Sequence, residues 1–97
     1  MRSLEELRKD IDRVDEVLVR LLNERARCVC EIGRFKKEQK IDVYQPDREK
    51  LVLQHVKEIA CEGPLGPEAI GRLFERIIDE ARRLERRVVH GEGESVE

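Results

Sequence analysis

Leu4, Leu7, Ile11, Val14, Leu18 and Leu21 recur in alternating steps of three and four, the spacing of one apolar helix face. The rhythm then meets Arg25 before resuming at Cys28, Ile32 and Phe35. Ser3 followed by Glu6 forms a capping box that starts this helix at Leu4. Nothing stops it before Lys40, because one glycine, Gly33, costs about 1 kcal/mol without breaking a helix. The result is a rod of roughly 37 residues, about 55 Å long. Ile41 to Gln45 reads as a short loop, and Pro46 suits the first turn of a second helix. Leu51, Val52, Val56, Ile59 and Ala60 form its inner face, and Gly63 is expected to end it. After Pro64-Leu65-Gly66, Pro67 opens a third helix whose seam runs through Ile70, Leu73, Phe74, Ile77, Ala81, Leu84 and Val88 to about His90. No strand candidate of useful length interrupts the pattern. The chain is therefore expected to be all-α, with one helical domain over residues 1–90 and a disordered polar tail over 91–97. Two short helices cannot cover so long a rod. An intertwined homodimeric bundle, with the rods paired and the short helices packed across both chains, is the simplest remedy.

Composition narrows the chemistry. A chain of 97 residues is one domain and buries about 60–70% of its unfolded surface when folded alone. With 43% charged residues and only one Tyr and two Phe, the core is aliphatic. The net charge of −2 argues against a nucleic-acid partner, which calls for a basic excess. No apolar run reaches the length of a membrane span and no targeting segment precedes Ser3, so no membrane partner is expected. Cys28 and Cys30 point to nearly opposite sides of a helix, and with Cys61 they form no framework spacing. They read as reduced thiols of a cytoplasmic protein.

Arg25 is the feature that asks for a ligand. A guanidinium on a core-facing seam costs several kcal/mol unless an anion meets it, either a buried carboxylate of the protein or an anionic ligand. Lys36 lies on nearly the same face, about 16 Å along the axis, so that two extended side chains can meet between them. Arg8 is about 25 Å from Arg25 and roughly 100° around the rod. It cannot serve the same site within one chain, but in an antiparallel dimer it can enter the partner's. Arg48 begins on the inner edge of the second helix, and Glu85 lies just beside the seam of the third. The default readings are plainer: helix-start charges for Arg48 and Glu49, a surface pair for Glu85, and a solvated helix end for the arginines between 82 and 87.

The runs L-R-K-D-I from Leu7, L-L-N-E-R to Arg25, E-I-G-R-F-K to Lys36, P-D-R-E to Glu49 and R-L-F-E-R-I-I-D-E-A to Ala81 resemble the all-helical chorismate mutases. The similarity holds in order and spacing over about residues 4 to 88. It implies an intertwined three-helix homodimer with two equivalent sites, rearranging chorismate to prephenate in aromatic amino-acid biosynthesis. By the same resemblance, Arg25 and Arg48 bind the substrate's carboxylate and hydroxyl side, and Arg8 comes from the other subunit. Lys36 hydrogen-bonds the breaking ether oxygen and a carboxylate, Glu49 takes the ring hydroxyl, and Ile32 and Ala81 line the pocket. Glu85 faces the ether oxygen, where the family uses Gln or Glu. Ala81 stands where many members carry a small hydroxyl residue, and Gln45 where some carry Asp; a backbone contact at Gln45 tolerates that change.

The reaction suits such a site. Chorismate is a dianion, and its rearrangement is intramolecular and pericyclic, so no cofactor or metal is expected. Acceleration comes from holding the reactive diaxial conformer and from fixed donors that meet charge building on the ether oxygen. An isochorismate pyruvate lyase shares the fold, and a non-catalytic dimeric helical module is the reading from another class. The chain's length leaves no room for a fused dehydratase or dehydrogenase domain, and a monofunctional mutase is expected. Lys36 is a ready donor, whereas Glu85 donates only when protonated. A closed pocket favours its neutral form, and nearby Lys36 and Arg25 favour the carboxylate. Activity is therefore expected to fall as Glu85 ionises, and Glu85→Gln to flatten the pH–rate profile. An unchanged profile removes Glu85 from the mechanism.

Overall fold

The computed structural model describes residues 1–91, and the expected tail beyond Gly91 lies outside the described residues. Three helices follow in the expected order: α1 Leu4–Gln39, α2 Pro46–Ala60 and α3 Pro67–His90. The capping box forms as read. The Ser3 side chain accepts from the Glu6 amide at 3.1 Å, and the Glu6 carboxylate accepts from the Ser3 amide at 2.9 Å. Lys40 ends α1 in the left-handed region (φ 58°), and the Lys40 and Ile41 amides both return to the Lys36 carbonyl. That turn, rather than a proline or glycine, swings the chain back past the last turn of the rod.

The end of α2 departs from expectation. The helix stops at Ala60 rather than running on to Gly63. A tighter turn follows, in which the Cys61, Glu62 and Gly63 amides each bond three residues back, to Glu58, Ile59 and Ala60. The positive-φ glycine of this connection is Gly66, whose φ of 82° and ψ of 158° lie in a region essentially reserved for glycine. It sets the angle at which Pro67 opens α3.

The helices pack in a single sheet-like layer. α3 touches both other helices, while α1 and α2 do not pack on each other. Residues 77–88 of α3 run parallel to 22–33 of α1, with Val88 against Gly33. On the other flank α2 is antiparallel to α3, with Glu49 beside Arg82 and Lys57 beside Gly71. The molecule measures 56 × 31 × 16 Å, and its long axis is the rod itself. Its radius of gyration is 16.6 Å, against about 13 Å for a compact domain of this length. No described helix is long and apolar enough to cross a membrane.

Burial follows from this layer. Among the described residues only Val29, Gly33, Lys36, Gly71 and Ile78 are buried, all of them on or beside the α3 contacts. Leu51, Ile59 and Leu73, expected on inner faces, are exposed, whereas Leu53 is half-buried and Ile78 buried. The reason is geometric: with α1 out of reach, α2 has one neighbour, so its covered face is a single helix wide. The stripe from Leu4 to Leu21 has no partner in this chain and is exposed throughout.

Gly33 is a spacing device rather than a tolerated weakness. A Cβ there stands 3.1 Å from Val88 Cγ1, 3.2 Å from Val88 Cβ and 3.4 Å from Glu85 Cγ. Alanine gains about 1 kcal/mol in helix propensity, but overpacking a tight seam costs about 1–3 kcal/mol, and branched Val88 has little freedom to yield. Gly33→Ala is expected to lower the melting temperature followed by circular dichroism at fixed protein concentration. A higher melting temperature means that the α1–α3 seam has room to spare.

Candidate active site

Because α1 and α2 diverge on either side of α3, a cleft of about 420 Å³ opens between them. α3 forms its floor. Every residue expected at the site except Arg8 lines this cleft: Arg25, Ile32 and Lys36 from α1, Gln45 from the loop, Arg48 and Glu49 from α2, and Ala81 and Glu85 from α3. Arg8 lies exposed on the N-terminal half of α1, outside the cleft, as its distance along the rod requires.

Lys36 is held at the closed end. Its ammonium donates to the Val43 carbonyl at 2.9 Å and sits 2.7 Å from Glu85 Oε1. Only 10% and 12% of the two side chains is exposed, so this is an ion pair largely withdrawn from water. Glu85 is thus no surface partner of neighbouring arginines, the plainer reading of its sequence context. The contact to Oε1 lacks hydrogen-bond geometry, and that solvent-shielded oxygen has no hydrogen-bond partner among the described residues. Lys36 has three N–H donors and uses one on Val43, so donor capacity remains for a ligand.

The other wall is fastened by Arg82. Its Nε donates to Glu49 Oε2 at 3.0 Å and its Nη2 to Glu49 Oε1 at 2.8 Å, a two-pronged pair. Its Nη1 donates to Asp79 Oδ1 at 3.0 Å, and the guanidinium carbon lies 5.2 Å from the centroid of the Tyr44 ring. The hydrogen bond to Glu49 raises the Arg82 pKa above its already high ordinary value; desolvation opposes this, and Asp79 adds to it. Arg82 therefore carries its charge at every pH at which the protein works.

Arg82 corrects the expectation that the arginines between 82 and 87 form a solvated helix end. Arg83, Arg86 and Arg87 are exposed as expected, but Arg82 turns into the cleft. Its signal lies in the spacing: Ile78, Ala81, Arg82 and Glu85 fall at i, i+3, i+4 and i+7, one helix face. The Val43 carbonyl carries no such signal, since a main-chain acceptor in a loop leaves no trace in side-chain pattern. Cys28 also lines the cleft, between Arg25 and Ile32.

The charges decide what the cleft can hold. Four cations line it, Arg25, Lys36, Arg48 and Arg82, with two carboxylates, Glu49 and Glu85. Both carboxylates are already paired, Glu49 with Arg82 and Glu85 with Lys36. Among the described residues neither Arg25 nor Arg48 forms an ion pair. Arg25 is half-buried and Arg48 exposed, and no acid of the described residues neutralises either of them.

Known proteins resemble this chain in sequence and in fold. Residues 7–86 match the sequence profile of the family chorismate mutase type II. A bifunctional chorismate mutase/prephenate dehydratase of Aquifex aeolicus is 35% identical over an alignment of 91 positions that covers 91% of this chain and 25% of that protein. The chain thus spans about a quarter of the length of such bifunctional relatives. A chorismate mutase of Methanocaldococcus jannaschii is 26% identical over 89% of this chain and 87% of its own. The solved structure of a chorismate mutase from Thermus thermophilus superposes with a TM-score of 0.83 at 39% identity, covering 87% of this chain and 94% of that one. Sequence profile, relatives and fold agree, and the chain belongs to the chorismate mutase type II family.

Proposed function

We propose that this protein is a chorismate mutase, converting chorismate to prephenate in the cleft floored by α3. The observation that carries the reading is the pair of guanidinium groups, Arg25 and Arg48, left without protein carboxylates in a cleft whose acids are otherwise matched. Two spare positive charges complement a substrate with two carboxylates. Gripping both fixes the compact, reactive conformer and removes the entropy of finding it. Lys36, oriented by Val43, meets negative charge growing on the ether oxygen as the C–O bond breaks. Glu85, paired with Lys36, steadies that ammonium as a carboxylate and donates to the same oxygen only when protonated, and Glu49 presents its carboxylate to the ring hydroxyl. Ile32 and Ala81 supply apolar walls, and Gln45 contributes through its backbone.

The working form in this reading is a homodimer, with Arg8 of one chain completing the cleft of the other. Its support is the geometry of the layer. At 16 Å thick, the fold is little more than one helix diameter deep (about 10–12 Å), and a layer of helices buries a core only against a second one. The stripe from Leu4 to Leu21 is the apolar surface available for that purpose, and Arg8 flanks it on the same stretch of helix. The three free thiols fit a cytoplasmic setting.

The purified protein is expected to consume chorismate and release prephenate. Arg25→Ala is expected to lower kcat/KM by about 100-fold, equivalent to about 2.7 kcal/mol of lost charge-assisted binding. No consumption by the unaltered protein overturns the assignment. The shared site has its own test. Arg8→Ala and Arg25→Ala, each impaired alone, are unfolded together and refolded as a one-to-one mixture. Half of the dimers then combine the two variants, and each of those has one site free of both lesions, so activity recovers to about a quarter of normal. No recovery above the separate variants means that Arg8 does not cross the interface.

A further inference from the structure

Arg82 has no part in the substrate contacts proposed above, yet it is the most heavily engaged side chain of the cleft. Three elements meet on it: Glu49 from α2, Asp79 from its own helix, and the Tyr44 ring from the loop. Only 22% of the side chain is exposed. Such a fork binds a carboxylate with little further loss of freedom, because its plane is already set by Asp79 and Tyr44.

Glu49 needs such a partner. It follows Arg48 directly in the first turn of α2 and lines the same cleft as Arg25. A loose carboxylate there, in a partly desolvated cavity, pairs with whichever guanidinium is free. On Arg25 or Arg48 it takes the place of a substrate carboxylate and cancels one of the two spare charges. Binding both Glu49 oxygens at 2.8 and 3.0 Å closes that route.

We propose that Arg82 is a positioning residue: by holding Glu49 with both prongs of its guanidinium, it keeps Arg25 and Arg48 unpaired for the substrate. This rests on the mutase reading and adds to it an internal counter-ion whose task is to occupy an acid rather than to touch the reacting molecule.

The consequence differs in sign from that of a structural strut. Breaking a strut from either end, or from both, leaves the wall equally unsupported. Releasing an acid is harmful only while the acid carries charge. Arg82→Gln is therefore expected to raise KM for chorismate by about tenfold, with kcat within about threefold, because saturating substrate outcompetes the freed carboxylate. Glu49→Gln alone, which weakens the contact to the ring hydroxyl, is expected to raise KM by less than Arg82→Gln does, and adding it to Arg82→Gln is expected to bring KM down to the value of Glu49→Gln alone. Arg82→Lys, which keeps the charge but not the fork, falls between; paired with Glu49→Gln, it also serves should Arg82→Gln fail to fold, as judged by thermal unfolding.

Steady-state rates with chorismate for the unaltered protein, Arg82→Gln, Arg82→Lys, Glu49→Gln and the two double variants decide the matter. A raised KM that the second substitution lowers supports the proposal. An unchanged KM in Arg82→Gln overturns it, as does a double variant with a KM as high as that of its parent, which is the behaviour of a strut. If the unaltered protein does not turn over chorismate, the mutase reading itself falls and takes this one with it.

Discussion

The cleft exists because α3 packs against both other helices while they stay apart, and that depends on how closely α3 can approach α1. Gly33 sets the distance: Val88 and Glu85 rest against the bare backbone of the rod. The same approach brings Glu85 to the Lys36 ammonium, since Glu85 and Val88 lie one turn apart on one face. Packing and chemistry are therefore a single constraint here. Any side chain at position 33 that lifts α3 also lifts the acid from its base.

The charge pattern follows from the layer. A helix that contacts two neighbours presents charged groups on each edge of its seam, and α3 places Glu85 towards α1 and Arg82 towards α2. Each meets its opposite, so the floor of the cleft is internally neutralised from both sides. What is left over belongs to the walls, Arg25 on one and Arg48 on the other. The arrangement resembles a clamp whose jaws carry spare charge and whose hinge carries none. Buried pairs of this kind contribute little net stability, because desolvation offsets much of the attraction. Their value lies in fixing which cations remain free.

Much of this is legible in the sequence, for reasons that particular residues make clear. Ser3 and Glu6 fix the start of α1 through local hydrogen bonds, and Pro46 and Pro67 open α2 and α3, so these starts need no tertiary information. The line Arg25, Ile32, Lys36 reads directly as one helix face. What is not legible depends on neighbours. Leu51, Ile59 and Leu73 keep apolar periodicity, but whether they are covered is decided by another helix, and within this chain none arrives. The end of α2 is misleading because Gly63 has the look of a left-handed cap, whereas Gly66 takes the glycine-only conformation. Arg82 is hidden by company: amid Arg83, Arg86 and Arg87 it passes for part of an exposed cationic end, and only its register with Ile78 and Glu85 sets it apart.

The proposed dimer and the proposed chemistry answer the same shortage. The single layer encloses little core of its own. The long rod is unfavourable for a monomer, since it extends a row of leucines and valines into solvent. For a pair it is an asset. Laid against a second copy, that row becomes the shared core, and Arg8 is carried about 25 Å from its own Arg25 to a place its own cleft can never use. The apolar stripe and the stray arginine sit on one stretch of helix, so that in the proposed dimer covering the first would also deliver the second. Association would then complete the hydrophobic interior and the ring of cations in one step, leaving the isolated chain short of both.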